Sequence, residues 1–445
     1  MEPLKKNYEL IPFFSDIDLK EHFAKDIEFC ILDNLAADFL NQVTQQSMSI
    51  NKIPFSKRST YLGINLGYKE ENMFLRHYLE QVVPIADALS NSPWKKLLLH
   101  YCDSNVARSC FIALASIHLH KIGALTSDTY YDKSLFHISN VTEHLLGHIS
   151  LGFFIDSNQQ VINETKCAVI LLLGYTYIIF MLIDSGRSTT VRRLFAFFSC
   201  MFKEKFQIDN GFPNLYDREL KFLVVLLSWF DTISSIVSPD SRLPHCVPSW
   251  FGATDDHVST IDMMGCPPEI FEILWNICKI KNQIKNGVPR EYFENYATKL
   301  TSDIMNYRVY VRERNTHNGY IVKLKCAQCW AIATYITLLE VLKPQTSSAL
   351  IHGLVHEFLD VYKGLNPHTQ IVNQIVWPLF VVGYNCITAS EREIWLSLID
   401  TLYQVTHTGV IETMRSLIIE SWERNVSIET VLKELMVLHI DFLPV

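Results

Sequence analysis

Three groups of residues in this 445-residue sequence have the types and spacing that catalysis or metal binding asks for. His137, His144 and His148 are seven and four residues apart, so a helix carries all three on one side, and imidazoles at i and i+4 can share a metal. Tyr131, Leu135, Ile138, Leu145 and Ile149 form the apolar stripe of the same stretch, with the histidines at its border. An amphipathic ring is ordinary there, so no metal is expected. Cys326 and Cys329 have the spacing of a redox dithiol, yet they open a helical run through Trp330, Ile332, Tyr335, Ile336 and Leu339. A catalytic pair instead follows a strand in a βαβ unit. Asp255-Asp256-His257 is the nearest approach to a carboxylate cluster that holds magnesium against a diphosphate, and it lacks a third carboxylate one turn later.

The spacings that mark the common catalytic loops are missing. Neither G-x-x-x-x-G-K nor G-x-G-x-x-G occurs, so no loop of converging backbone amides is marked for a phosphate. There is no G-x-S-x-G elbow and no H-E-x-x-H; His356-Glu357 lacks the second histidine of that motif. Without a convergent acid, base or metal constellation, the chain reads as a non-enzyme. The aromatic residues Phe195, Phe197, Phe198, Trp229, Phe230 and Trp377 fill a core or line an apolar cavity between helices.

The elements that must carry these side chains are helical. Apolar residues recur at helical spacing near 71–89, 105–121, 128–149, 164–183, 191–206 and 218–237, and again near 269–284, 290–312, 319–342, 347–363, 369–387, 391–404, 411–423 and 428–438. No long alternation marks a strand and no fixed repeat marks a solenoid, so an all-α, irregular helical array is expected. A further helix follows Ser15 as N-cap, and residues 45–67 lose periodicity. The chain therefore divides into an N-terminal helix and linker, 1–67, and a body, 68–445. The body is either one compact domain or two fused halves, about 68–237 and 265–445. Pro239, Pro244, Pro248, Pro267 and Pro268 mark the irregular crossing between those halves.

Composition narrows the setting. About half the residues are apolar and the formal charge is -8, without a basic run to wrap phosphates. Eleven cysteines at irregular intervals suit reduced thiols. The first fourteen residues, broken by Pro3, Glu9 and Pro12, do not resemble a secretory signal, so an intracellular protein is expected. Cys167 to Ile183 is uncharged and just reaches membrane-spanning length; with no comparable second span, a central helix buried on all sides is the favoured reading.

Four stretches, in order, resemble the fungal-specific transcription factor domain. The first is FLRHYLEQVVPIADALSNSPW, ending at Pro93-Trp94, followed by the small-residue helix from Ala107 to Leu119. The second is LVVLLSWFDTISSIVSPDSRLP, around Trp229. The third, Gly265-Cys266-Pro267-Pro268-Glu269, opens a helix, where proline in the first turn is tolerated. The fourth joins Ile375-Val376-Trp377-Pro378-Leu379 and Gly383 to Glu391-Arg392-Glu393 and to Ser421-Trp422-Glu423-Arg424.

The resemblance covers about residue 68 to the C-terminus. It implies a regulatory domain acting in the nucleus on target, metabolic genes, with transcription machinery or co-regulators as partners. A small-molecule effector between helices and a homodimer are further possibilities; the first helix shows no sustained a/d repeat. The family's six-cysteine, zinc-holding DNA reader is not visible, because the cysteines here are scattered. Zinc and DNA contact are therefore expected to belong to an upstream module or a partner, with no cofactor in this chain. The alternatives are a helical scaffold that captures another regulator and, last, a helical enzyme.

Overall fold

Local chemistry marks the clearest helix boundaries. Pro268 occupies the first helical position behind Pro267, where its missing N–H costs nothing. Thr388 and Glu391 form a reciprocal capping box. Gly265 (φ 74°), His407 (φ 48°) and Asn425 (φ 50°) end their helices in the left-handed region. The computed structural model describes residues 68–86, 88–89, 92–123, 127–150, 164–206, 218–247, 259–313, 318–343 and 348–445. The expected first helix and linker lie outside them, as does Asp255-Asp256-His257.

The order is helix after helix: α1 (Tyr68–His77), which runs through a π-helical turn (Tyr78–Val82) into α2 (Val83–Ala86), then α3 (Trp94–Tyr101), α4 (Ser104–Lys121), α5 (Ser127–Ser150) and α6 (Glu164–Asp184). After β1 (Arg187–Ser188) come α7 (Val191–Phe206), α8 (Arg218–Val237), α9 (Thr260–Met264) and α10 (Pro268–Lys285). A 3₁₀ turn (Arg290–Phe293) leads into α11 (Glu294–Glu313), α12 (Asn318–Leu342) and α13 (Ser348–Lys363). A second 3₁₀ turn (Gln370–Gln374) precedes α14 (Val376–Tyr384), α15 (Ala389–Thr406), α16 (Gly409–Arg424), α17 (Ile428–Val437) and β2 (Asp441–Phe442). The fold is all-α. Among the described residues, the strands are β1 and β2, which pair antiparallel with Arg187 opposite Phe442.

Two helices organise the packing. The apolar α6 is surrounded by α3, α4, α5, α7, α8 and α16, and α12 by α10, α11, α13 and α14. Residues from Phe74 to Val445 share one hydrophobic core. Among the described residues, helix α6 contains the stretch long and apolar enough to cross a membrane, Cys167–Asp184, but 78% of that window is buried inside the protein. Polar links also join distant segments. The His118 imidazole donates to the Thr406 carbonyl, and the Gln374 amide to that of Ile85.

The structure departs from the sequence expectation where elements are short or bent. The expected single helix over 369–387 is a 3₁₀ turn and a separate α14, broken at Ile375. Pro378 explains the break: it lacks an N–H and its ring clashes with the carbonyl four residues back, so it fits only in the first turn of a new helix. Helices α3 and α9 and the β1–β2 pair were not anticipated, being too short to show a period.

Candidate functional site

The family-like motifs assemble into packed aromatic corners. Trp94 meets Tyr175 and Phe222 edge-on, at 6.3 and 5.9 Å between ring centroids. Trp229 packs on Phe230 at 5.1 Å. Gly265 lies so close to α12 that an added Cβ would sit 2.8 Å from the Cys326 Cβ, and Cys266 beside it is fully buried. Gly383 lets Trp395 lie directly on α14, and the Trp395 indole N–H donates to the Leu379 carbonyl at 2.9 Å. Trp422 meets Trp395 edge-on at 5.4 Å, and the Arg392 guanidinium lies 5.0 Å over the Trp422 ring while its Nε donates to the Cys386 carbonyl. Gly383, Arg392 and Trp422, far apart in sequence, thus form one corner between α14, α15 and α16.

The Trp377 ring, which precedes that corner along α14, stacks on Trp330 at 5.4 Å and faces a cleft of about 810 Å³. Walls come from α10, α12, α14 and α17, and from Pro239 and Ser241 in the proline crossing. Most of the lining is apolar, including Ile284, Val341, Ile351, Phe380 and Leu432. At its floor Glu340 accepts from the Tyr384 hydroxyl and the Asn385 amide, both at 2.9 Å. Burial raises the Glu340 carboxyl, and these donors together with Lys281 only partly offset it. The Lys281 ammonium, lowered by burial, donates to the carbonyls of Ile236 and Ser238.

The crossing wall is tied down by buried charge. Asp231, fully buried on α8, accepts from Arg242 at 2.8 Å and from the backbone N–H groups of His245 and Cys246. Arg192 on α7 bridges Asp240, Ser238 and Asp441, so it fastens the same segment to β2. Over 238–247 the irregular crossing is a strapped loop. Proline removes backbone donors, and side-chain carboxylates and guanidinium groups supply the missing attachments.

A family model described as a fungal specific transcription factor domain matches residues 73–431, most of the chain. The chain belongs to that family. No curated protein and no solved structure matches it. Its transcription-regulatory role follows from this membership.

In this fungal-specific transcription factor domain, the histidines and the cysteine pair singled out from sequence are placed as core or surface side chains. His137, half-buried, faces the Ser109 hydroxyl and is lowered to about 4 by burial and by Arg108 and Lys133; His144 points to solvent. Cys326 and Cys329 lie within α12, fully buried, and burial pushes both thiols up, away from the thiolate that redox exchange requires. The cavity beside Trp229 and Phe230 holds about 30 Å³, room for little more than a water. Of the aromatics named from sequence, Trp377 is the one that reaches the large cleft. A group that sequence inspection passed over does converge: His352 and His356 on α13 and Glu391 on α15 bring one ligand atom each within 4.8 Å of one another. The signal was the i, i+4 histidine pair, but its third member lies 35 residues beyond His356.

Proposed function

We propose that this domain senses a small, largely apolar molecule with an anionic head, and that occupancy of the cleft sets what it presents to transcription machinery or co-regulators. The observation that carries the reading is the cleft itself. Its volume of about 810 Å³ falls within the roughly 300–1,000 Å³ typical of ligand pockets, and apolar side chains make up just over half of its lining, the rest being polar or charged. Lys281, Lys285, Arg290 and Lys433 border it against the two carboxylates Glu340 and Glu429, a basic lining in an acidic chain. That balance favours an anionic head group. The walls come from separate helices and the crossing, so a ligand that binds one arrangement better than another shifts the population between them. The setting is the nucleus and the targets metabolic genes; DNA is reached through a zinc-cluster module beyond this chain or through a partner.

The test uses the full chain fused to an unrelated DNA-binding module and a reporter. Ile284→Trp and Val341→Trp enlarge half-buried wall residues into the cleft without touching the deep core. Reporter output from the unaltered chain changes with growth medium, whereas the double variant, at equal abundance, holds one level in every medium. A fluorescent anilinonaphthalene sulfonate dye, apolar with one anionic group, saturates at a single site on the purified chain and loses that site in the variant. A double variant that still follows the medium and still binds the dye sinks the reading.

A further inference from the structure

We propose that His352, His356 and Glu391 form a binding site for a late transition-metal ion, Zn²⁺ by preference, with one coordination position left open. The histidines sit one turn apart on α13, so their imidazoles share a face, and their rings lie 4.6 Å apart. Across from them is the first turn of α15. There the Glu391 Oε2 atom is committed to the cap, accepting from the N–H groups of Thr388 at 2.9 Å and Ile387 at 3.0 Å. Its Oε1 atom turns the other way, 3.0 Å from His352 Nδ1 and 3.2 Å from His356 Nε2.

These separations have the dimensions of a coordination shell. Ligand bonds of about 2.0–2.1 Å meeting at angles of about 90–109° place neighbouring donor atoms about 2.9–3.4 Å apart. Both carboxylate–imidazole separations fall in that interval, and the two imidazole donors lie within 4.8 Å of one another. Glu391 Oε1 and His352 Nδ1 are closed to solvent, and neither makes a hydrogen bond, although they are only 3.0 Å apart. Both atoms therefore remain available to a third.

The donor set selects the ion. Two imidazoles and one carboxylate suit zinc and its neighbours, whereas calcium and magnesium require oxygen donors. The two backbone N–H groups on Oε2 hold the carboxylate in its ionised form and fix its direction, the part that outer-shell donors play around bound metals. His356 is the exposed member, so an ion enters from solvent and keeps a water or an incoming side chain as its fourth ligand. A bound ion would staple α13 to α15 beside the cleft, because Ile351 and Ile387, next to His352 and to the cap, both line it. The site stands on its own donors and does not require the cleft to hold an effector.

The experiment uses the full chain, tag removed and dialysed against a chelator. Zn²⁺ raises the melting temperature of the unaltered protein, and Co²⁺ gives a visible ligand-field band without the near-ultraviolet charge transfer of thiolate ligands. His356→Ala, on an exposed position, keeps the metal-free melting temperature and weakens Zn²⁺ binding by more than the roughly 10–100-fold that loss of an outer-shell partner costs. Glu391→Gln gives the same loss. No stabilisation by Zn²⁺, an undiminished response in His356→Ala, or a thiolate-type Co²⁺ spectrum overturns the site and leaves a histidine–carboxylate contact only.

Discussion

Replacing Asp231 by Asn tests how firmly the crossing wall of the cleft is held. The carboxylate is fully buried and serves Arg242 through one oxygen and the His245 and Cys246 N–H groups through the other. An amide of the same shape offers one acceptor and turns an NH₂ toward donors, so at least one of those groups is stranded in the interior. Breaking a buried charge pair from one side costs about 3–5 kcal/mol. For the roughly 330 described residues at about 2.1 cal/mol/K each, the unfolding entropy is near 0.7 kcal/mol/K, and the loss lowers Tm by about 4–7 °C. Scanning calorimetry at neutral pH measures it.

The pH dependence gives a second reading from the same variant. Burial raises the Asp231 carboxyl, but Arg242, His245 and the Cys246 N–H more than reverse this and leave it below the ordinary value. Its stabilisation is therefore complete above the unfolded carboxylate value of about 3.9 and lost as pH falls through the folded value. The gap between the two proteins closes in acid. Because Pro239 and Ser241 belong to the strapped segment and line the cleft, dye binding also weakens in Asp231→Asn. A shift below about 1 °C, the range of an ordinary surface change, or a gap that persists in acid, refutes the argument.

Other outcomes follow from single side chains. Gly383→Ala places a methyl 2.5 Å from Trp395 Cε2 and 2.7 Å from Ile418 Cδ1, and overpacking of this kind costs about 1–3 kcal/mol. A denaturant midpoint unchanged by that substitution contradicts the close approach of α14 to Trp395. His118, which bridges His77 and the Thr406 carbonyl, donates from Nε2 and so accepts at Nδ1; burial, with His77 and His407 beside it, lowers it to about 4. Its neutral form is favoured by folding, so that stabilisation is whole above about pH 6.5 and is lost as pH falls toward the folded value. Between those limits Tm falls in the unaltered protein and falls less in His118→Gln; parallel profiles would count against the assignment.

The long helices were legible because their signal is local. Leu171, Leu172, Tyr175, Ile178 and Ile179 declare α6 through spacing alone, and Pro267-Pro268 declares the start of α10. The family was legible for a related reason: Trp377-Pro378, Glu391-Arg392-Glu393 and Ser421-Trp422 stand in an order that resembles it, and the match over 73–431 shows that family. The three-histidine stripe of α5 was set aside from sequence as the border of an apolar face, because spacing puts side chains on one side without saying what that side meets.

What one dimension determined, then, was which segments coil, which faces are apolar, and the kinship those segments carry. Only packing decided that Asp231 meets Arg242 under the crossing, that α10, α12, α14 and α17 leave a cleft between them, and that Glu391 turns an oxygen toward His352 and His356. Helical periodicity is written over three or four residues by backbone geometry. The meeting of distant side chains depends instead on how helices cross, which many weak apolar contacts fix together and no single spacing encodes.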